Sequence, residues 1–270
     1  MKNCLYGAAG GDICGSRYEF GRLRTKDYNK VKLVDQHCFF TDDTVCTMGV
    51  ADAILKHRTP TVEQFRDSIQ EWCHKYPNRG YGGKFRDWIN NPIPYGSWGN
   101  GSAMRVSPCG LVAKTAEEAA ELAKASAMCS HDDPAGVLGA IVTAKAIFYA
   151  KNESDKNKAF TLIDDLLIDN YPKYSSIDLD DIRPDYHFDS SCEGSVPVAL
   201  LCFLESSSYE DCIKLAISMG GDADTLAAIA GSIAYVFYGK MQKTVEDQIT
   251  NVLPTDMKKV VYDFDKLVNE

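Results

Sequence analysis

The sequence predicts an all-α protein with one domain over residues 1–270. Helix signals recur along the whole chain, whereas the alternation of apolar and polar residues typical of a strand is confined to residues 30–34. A chain of 270 residues with 45% hydrophobic content can bury one core of ordinary size. The polar segment 151–189 contains its own apolar stretch, FTLIDDLLI, which favours a surface helix with loops over a linker between domains.

Helix starts are marked by capping residues at regular places along the chain. Three of them place a hydroxyl residue three positions before an acid or amide, as in Thr61 with Gln64, Thr115 with Glu118, and Ser208 with Asp211. A fourth start, Asp133-Pro134, precedes the apolar helix AGVLGAIVTAKAIFYAK. Apolar periodicity predicts further helices over residues 44–56, 61–76, 194–206, 209–218, 225–239, 244–252 and 256–268.

Composition argues against several classes of function. The formal net charge of -9 disfavours a broad nucleic-acid-binding face, because phosphates are bound by clustered Lys and Arg. The ten cysteines form no Cys-x-x-Cys pair, so we expect free thiols in a reducing, cytoplasmic compartment. The start MKNCLYGAAGGDICGS is unlike a signal peptide, and the longest apolar run, residues 226–238, is shorter than the ~20 residues of a membrane span.

Glycines cluster in three places, residues 7–15, 80–101 and 220–221. Glycine permits positive φ and a close approach of the backbone to another group. In a helical protein, three such clusters predict loops that converge on a ligand.

Two helices are expected to start with an unusual number of side-chain oxygens. FFTDDT (39–44) and GGDADT (220–225) each combine two carboxylates with threonine directly before an apolar helix. Acids in a first turn are stabilised by the helix dipole and free amides, so capping is one interpretation. One cap needs only one acceptor, however, and hard oxygens are what Mg²⁺ or Mn²⁺ prefers. The spacing alone leaves both interpretations open.

Two other interpretations of the second cluster fit the residues less well. An EF-hand needs alternating oxygen ligands along a longer loop and a distant glutamate, which ADTLAAIAG does not supply. An aspartyl-phosphate phosphatase site has Asp-x-Asp, one spacer and then Thr after a buried strand. Here Thr225 follows Asp224 immediately, and the preceding segment has a capped helical pattern.

Six segments in series resemble the ADP-ribosylglycohydrolases, a family that includes ADP-ribosylarginine and ADP-ribosylserine hydrolases and the dinitrogenase reductase-activating glycohydrolase. They cover most of the chain: GAAGGDICGSRYEF (7–20), FFTDDT (39–44), PYGSWGNGSAMRVSPCG (94–110), SHDDP (130–134), EGSVPVALLCFL (193–204) and MGGDADTLAAIAGSIAYVFYG (219–239). The resemblance implies an all-α orthogonal bundle with two divalent cations, Mg²⁺ or Mn²⁺. It also implies the metal ligands Thr41, Asp42, Asp43, Asp222, Asp224 and Thr225.

The same resemblance implies the catalytic residues Glu19, Asp42 and Asp43. Glu19 matches a mobile glutamate that helps to activate water or to position the scissile ribose, and Gly21 beside it fits a loop able to move. By itself, a lone glutamate would be read as a solvated surface acid. Asp12 is expected to be structural, packing near the metal loop as part of the first helix.

The segment 95–101 resembles the loop that binds the diphosphate and distal ribose. Exposed amides in a glycine-rich turn before a helix form an anion site without basic residues. The implied substrate contacts are Gly96, Ser97, Trp98, Gly99, Asn100, Gly101 and His131. Trp98 is expected to pack against the ligand, with a core aromatic as the alternative. Arg105, inside a predicted helix, is expected either to contact phosphate or to form a structural ion pair.

The activity implied by the resemblance is hydrolysis of the glycosidic bond between ADP-ribose and a modified side chain. The partners are then an ADP-ribosylated protein or small-molecule substrate and the product ADP-ribose, bound by a monomer. Arginine-linked ADP-ribose is the first expectation, with serine-linked or other small-molecule or nucleic-acid adducts as the alternative. The residues that discriminate between these acceptors are expected in the outer segments 76–95 and 151–192. A non-catalytic ADP-ribose-binding member is the alternative of a different class.

Overall fold

The computed structural model describes residues 2–19 and 23–270. These residues form fifteen α-helices and two 3₁₀ helices, Tyr28–Lys30 and Pro172–Tyr174, so the predicted all-α fold is confirmed. The α-helices are α1 (Tyr6–Glu19), α2 (Asp42–His57), α3 (Val62–Lys75), α4 (Gly83–Asn90), α5 (Gly101–Met104), α6 (Ser107–Val112), α7 (Ala116–Met128), α8 (Pro134–Asn152), α9 (Lys156–Asn170), α10 (Leu179–Ile182), α11 (Cys192–Leu204), α12 (Tyr209–Met219), α13 (Ala223–Tyr238), α14 (Lys243–Val252) and α15 (Thr255–Asn269).

The capping residues predicted from the sequence begin their helices as expected. Thr61 and Gln64 form a complete capping box at the start of α3. The hydroxyls of Thr115 and Ser208 each accept a backbone N–H three residues later, at the starts of α7 and α12. Asp133 accepts the amide of Ala135 before α8. The segment expected to be an outer loop, residues 76–95, contains the short helix α4.

Helix α13 lies at the centre of the fold, with every residue from Ala223 to Val236 buried. It packs most extensively against α1 and also against α8, α11 and α12. A helix surrounded on all sides is apolar around its whole circumference, which agrees with the run LAAIAGSIAYVF in its sequence. The start of α13 is therefore fixed by several neighbouring helices.

The glycine cluster at residues 7–15 is part of helix α1, so the prediction of a loop there is wrong. Gly7, Gly11 and Gly15 are spaced by four residues and face α13 on one side of α1. A Cβ atom at Gly7 would lie 2.7 Å from the carbonyl oxygen of Gly231, and one at Gly15 would lie 2.8 Å from the amide nitrogen of Asp224. The absence of side chains lets the two backbones approach, and the C-terminal end of α1 then reaches the start of α13.

The one short strand candidate, residues 30–34, does not form a strand. Val31 and Leu33 are buried while Lys32 is exposed, so the alternation reflects a real buried face. In place of a neighbouring strand, the hydroxyl of Tyr18 accepts the amide of Lys32 and donates to its carbonyl oxygen. The described residues contain only one isolated antiparallel bridge, between Gly99 and Ser191.

All ten cysteines are buried free thiols, as the sequence predicted. Cys46 of α2 and Cys73 of α3 lie 4.0 Å apart between their sulfur atoms. Among the helices of residues 2–19 and 23–270, none combines the length and apolar character that crossing a membrane requires.

Candidate active site

A cavity of about 350 Å³ lies where the end of α1, the starts of α2 and α13 and the loop before α5 meet. The residues lining it include all the predicted site residues except Thr41: Glu19, Asp42, Asp43, Gly96, Ser97, Trp98, Gly99, Asn100, Gly101, His131, Asp222, Asp224 and Thr225. The lining also includes residues that had no individual prediction: Gly80, Gly82, Gly83, Lys84, Phe85 and Tyr95 from the expected glycine-rich segment 80–101, Phe188 and Ser190 from the expected outer segment 151–192, and Met104.

The two acidic helix starts face each other across this cavity. The hydroxyl of Thr225 lies 3.4 Å from a carboxylate oxygen of Asp43. Carboxylate oxygens of Asp12, Asp43 and Asp224 lie within 4.8 Å of one another, and a second group within the same distance is formed by Glu19, Asp222 and Asp224. Asp224 therefore belongs to both groups and lies between them.

The capping interpretation is confirmed only in part: Asp42, Asp43 and Asp224 lie in the first turns of α2 and α13, where the helix dipole stabilises acids. Thr41 and Asp222 occupy the N-cap positions of α2 and α13, but neither side chain makes a capping hydrogen bond. Helix α2 is capped instead by Asp12 of α1, which accepts the amides of Thr41 and Thr44 at 2.9 and 3.1 Å. The expectation that Asp12 is structural agrees with these bonds, and the acids of α2 are left available for other contacts.

Thr41 is buried behind the lining residues and contacts the cavity through its neighbours. Its hydroxyl donates to Asp12 at 2.7 Å and lies 3.2 Å from Asp43 Oδ2. Because the proton is donated to Asp12, the oxygen lone pairs are free to face a cation. The predicted role of Thr41 as a metal ligand thus depends on Asp12 for the orientation of its hydroxyl.

Glu19 is the last residue of α1 and lines the cavity from a helix end, whereas a loop was expected there. Gly21, which was expected to let that loop move, lies outside the described residues. Burial and nearby carboxylates raise the pKa of Glu19 to about 8. The close packing of Gly15 against α13 brings Glu19 next to Asp224.

The carboxylates on the acidic side of the cavity form no ion pair with any described basic side chain. Within residues 2–19 and 23–270, no Lys, Arg or His nitrogen lies within 4.0 Å of the carboxylates of Glu19, Asp42, Asp43, Asp222 or Asp224. Burial and mutual repulsion raise the pKa of Asp42, Asp43 and Asp224 well above the usual range of a carboxyl. Asp43 Oδ1 is buried without a hydrogen-bond partner in the described chain. An all-oxygen, uncompensated donor set of this kind fits hard divalent cations.

Hydrogen bonds connect the glycine-rich loop, residues 95–101, to the segment before α11 and to the segment before α8. Gly96 has φ +64 and donates its amide to Asp132 at 2.7 Å. The amide of Asn100 bonds to the carbonyl oxygen of Ser190 at 2.8 Å. The backbone N–H groups of Ser97, Trp98 and Gly101 have no acceptor among the described residues. The loop is thus rigidly positioned and keeps several donors free at the cavity.

Asn100 connects this loop to the acidic side of the cavity. Its buried side-chain amide donates to Ser195 Oγ at 2.9 Å and to Asp222 Oδ2 at 2.8 Å. The side chain was predicted to contact substrate, yet both of its N–H groups bond to protein atoms. Asn100 therefore orients Asp222 in this structure.

Two aromatic side chains at the cavity are largely exposed. Trp98 is 55% exposed and Phe188 is 53% exposed, and both line the cavity. The alternative that Trp98 is a core aromatic is therefore wrong. Phe188 lies within residues 151–192, where discrimination between acceptors was expected, but no motif pointed to this residue. Both rings present apolar surface that a planar ligand can cover.

His131 and Arg105 line the other side of the cavity and are buried. Arg105 lies between α5 and α6 rather than inside a helix. No carboxylate of the described chain lies within 4.0 Å of its guanidinium, so the predicted structural ion pair is wrong. Desolvation, and to a smaller extent the charge of Arg105, lowers the pKa of His131 well below its usual value.

Comparison with known families agrees with the family that the sequence resembles. The family model described as ADP-ribosylglycohydrolase matches residues 1–260. The chain belongs to the ADP-ribosylglycohydrolase family. It is therefore an enzyme of the class that cleaves glycosidic bonds of ADP-ribose adducts.

Named relatives in the ADP-ribosylglycohydrolase family match along most of their length. The mouse (Mus musculus) "ADP-ribosylhydrolase ARH3" is 27% identical, over 90% of this chain and 84% of that protein. The human (Homo sapiens) protein of the same name is 26% identical, over 90% and 86%. The "ADP-ribosylarginine hydrolase Tri1" of Serratia proteamaculans is 25% identical, over 88% and 71%. A solved "ADP-ribosylglycohydrolase-related protein complex" has a TM-score of 0.72 at 19% identity, over 98% of this chain and 96% of that chain, which supports the fold.

Proposed function

We propose that this chain is a metal-dependent hydrolase that cleaves the bond between ADP-ribose and a modified arginine side chain. The observation that carries the proposal is the group of cavity carboxylates without a basic partner in the described chain, Glu19, Asp42, Asp43, Asp222 and Asp224. An anionic diphosphate would be repelled from such a cavity unless cations neutralised part of the charge.

The residues that would bind two divalent cations, Mg²⁺ or Mn²⁺, come from the two helix starts. They are Thr41, Asp42, Asp43, Asp222, Asp224 and Thr225. When bound, the cations orient the ribose hydroxyls and a water molecule and stabilise developing negative charge. Asn100 and Asp12 support this set, because they fix the orientation of Asp222 and Thr41 through hydrogen bonds.

The opposite side of the cavity suits the ADP part of the substrate. The free amides of Ser97, Trp98 and Gly101 supply donors for phosphate or ribose oxygens. The exposed rings of Trp98 and Phe188 offer surfaces for stacking. A cavity of about 350 Å³ lies within the usual range for small-molecule sites.

In the proposed reaction, the carboxylates act on a ribose whose anomeric carbon becomes positively charged as the leaving group departs. Asp42 and Asp43 stabilise that charge and accept the proton of the attacking water. Glu19 supplies the proton that the leaving nitrogen needs, since burial raises the pKa of its carboxyl to about 8. In this proposal, Asp42 and Asp43 thus stabilise the positive charge and act as bases, and Glu19 acts as the acid.

The choice of arginine as the acceptor rests on a named relative and not on the charge of the cavity, because the proposed cations would neutralise most of the carboxylates. The name of the Serratia relative supports arginine, while the ARH3 relatives have names that specify no linkage. Serine-linked, small-molecule and nucleic-acid adducts are the alternatives that the experiment must separate.

The experiment incubates the purified protein with arginine-linked and serine-linked ADP-ribosyl peptides, and measures released ADP-ribose with Mg²⁺, Mn²⁺ or a chelator. We expect release from the arginine-linked peptide that depends on the metal. The variant Asp224→Asn should lose at least about a hundredfold in rate. Asp165→Asn, at an exposed position on α9, is the matched control and should retain full activity.

Each other outcome contradicts one part of the proposal. Full activity in the chelator would contradict the metal dependence. Release of ADP-ribose from the serine-linked peptide alone would show that the acceptor is serine and not arginine. Release from no substrate, with ADP-ribose binding intact in calorimetry, would favour a non-catalytic binding protein.

A further inference from the structure

Three buried side chains form a hydrogen-bonded chain behind the glycine-rich loop. The Arg105 Nη2 atom donates to Ser130 Oγ at 3.0 Å and to the carbonyl oxygen of Ser126. Ser130 Oγ lies 2.7 Å from His131 Nδ1. Arg105 and Ser130 are completely buried, and His131 is nearly so. Bulk water therefore cannot replace any of these bonds.

The direction of each proton in this chain follows from the chemistry of its members. A guanidinium is always a donor, so Ser130 Oγ accepts from Arg105. The hydroxyl proton of Ser130 then needs an acceptor, and its remaining polar contacts in the described chain are His131 Nδ1 and, at 3.9 Å, Cys129 Sγ. A ring nitrogen at 2.7 Å is a far better acceptor than a distant thiol. Ser130 therefore donates to Nδ1, and the proton of a neutral His131 must be on Nε2.

The protonated nitrogen faces the glycine-rich loop. A Cβ atom at Gly101 would lie 2.8 Å from His131 Nε2, and one at Gly99 would lie 3.6 Å from it. In residues 2–19 and 23–270, Nε2 has no hydrogen-bond partner. The rings of Phe85 and Tyr95, each 6.0 Å from the imidazole between centroids, restrict its rotation. The Nε2–H group is thus a fixed donor beside the free amides of the loop.

We propose that Arg105 and Ser130 are positioning residues that keep His131 neutral and place its proton on Nε2, so that this N–H donates to an anionic oxygen of the ligand. The ligand part of this inference rests on the proposed function, whereas the tautomer does not. The arrangement also gives a role to Arg105, which has no carboxylate partner among the described residues. Its charge disfavours a second proton on His131 and attracts an anion to the same side of the cavity.

The test uses the whole protein labelled with ¹⁵N-histidine, and long-range ¹H–¹⁵N correlation spectra at neutral pH report the tautomer. The other four histidines are exposed: His37, His57, His74 and His187. The signals of His131 are identified as those that disappear in the variant His131→Gln. We expect wild-type His131 to be a single neutral tautomer with the proton on Nε2. A signal for Nδ1–H or for a doubly protonated ring would overturn the inference without any variant.

Two serine variants on one side of the site provide the matched comparison. Ser130→Ala removes the donor to Nδ1, so His131 should become a mixture of tautomers. Ser126→Ala removes a hydroxyl that is equally buried and has no partner in the described chain, while the carbonyl oxygen that accepts from Arg105 is retained. The control should keep the wild-type spectrum. An unchanged His131 tautomer in Ser130→Ala would also overturn the inference.

Calorimetry with ADP-ribose then separates this inference from the proposed function. Ser130→Ala should weaken ADP-ribose binding by about tenfold, and Ser126→Ala should not, because one hydrogen bond to a charged group contributes about 1.5 kcal/mol. If the wild type has the expected tautomer but binds no ADP-ribose, the proposed function is wrong and the positioning of His131 stands. If Ser130→Ala changes the tautomer but not the affinity, His131 does not contact this ligand and the ligand part is wrong.

Discussion

The two sides of the cavity carry opposite charges, and each lacks a compensating side chain in the described chain. The acidic side contains Glu19, Asp43 and Asp224 among others, without a basic nitrogen within 4.0 Å. The arginine side contains the buried guanidinium of Arg105 without a carboxylate within the same distance. The fold therefore keeps these opposite charges apart on the two sides of the cavity. This difference supports the proposed function, in which cations on one side and an anion on the other would supply the missing partners.

The two sides also differ in how the backbone supports them. The acidic side lies on the ends of three long helices, and the packing of glycines on α1 against α13 determines the positions of the carboxylates. The arginine side lies on loops and short helices whose backbone amides are partly unused. Rigid helix ends suit fixed metal ligands, whereas a loop with free amides suits an extended anion.

The largest effect is expected from a change on the acidic side, with opposite consequences for activity and stability. Asp43→Asn removes a proposed cation ligand and should reduce the hydrolysis rate by at least about a hundredfold. The same change should raise the free energy of unfolding of the metal-free protein by about 1 kcal/mol, since burial and repulsion raise the pKa of Asp43. Chemical unfolding in a chelator measures the second effect. A destabilised variant would mean that the acidic side is already neutralised by the protein.

Gly15→Ala tests whether the packing of α1 positions the acidic side. The new Cβ would lie 2.8 Å from the amide nitrogen of Asp224, so the helix must shift. We expect a loss of about 1–3 kcal/mol in the free energy of unfolding, measured in urea, together with reduced activity. Gly83→Ala, where a Cβ meets no atom within 4 Å, is the matched control and should leave stability unchanged or slightly higher. Equal stability of the two variants would contradict the role given to Gly15.

The sequence predicts those features of the site that depend on neighbouring residues. The oxygens of Asp42 and Asp43, and those of Asp222 and Asp224, lie within one helix start each, so their pattern is local. Helix caps such as Thr61 with Gln64 are predictable for the same reason. The all-α class follows from the periodicity of many helices taken together.

Features that depend on distant contacts were not predictable from the pattern. Asp12 caps a helix that begins 30 residues later, and in the sequence it is a single acid inside a glycine-rich stretch. That stretch gave the wrong expectation of a loop, because glycines for close helix packing and glycines for turns have the same composition. The orientation of His131 by Arg105 likewise joins segments that are 26 positions apart.

The arginine side should make stability depend on pH in a way that His131 controls. Burial keeps His131 neutral in the folded state, so below its usual pKa of 6.5 only the unfolded state takes up this proton. The contribution of His131 to stability is present above that pH and is lost as the pH falls. We expect wild-type stability, relative to His131→Asn, to fall by up to about 1.4 kcal/mol per pH unit below 6.5. If the free energies of unfolding of the two proteins, measured in urea, changed with pH in parallel, His131 would be protonated in the folded state and the prediction would be wrong.

The smallest effect on stability is expected for the exposed side chain of Trp98. Its removal should lower the affinity for ligand without changing the free energy of unfolding appreciably. Trp98 is 55% exposed, so Trp98→Ala should change the free energy of unfolding by less than about 0.5 kcal/mol. If the ring stacks on the ligand, the affinity for ADP-ribose should fall about fivefold, corresponding to about 1 kcal/mol of stacking. Tyr262→Ala, at a 60% exposed aromatic of α15 outside the cavity, is the matched control. Equal ADP-ribose affinity of both variants, measured by calorimetry, would remove Trp98 from the ligand site and leave the loop amides and His131 as the contacts of the arginine side.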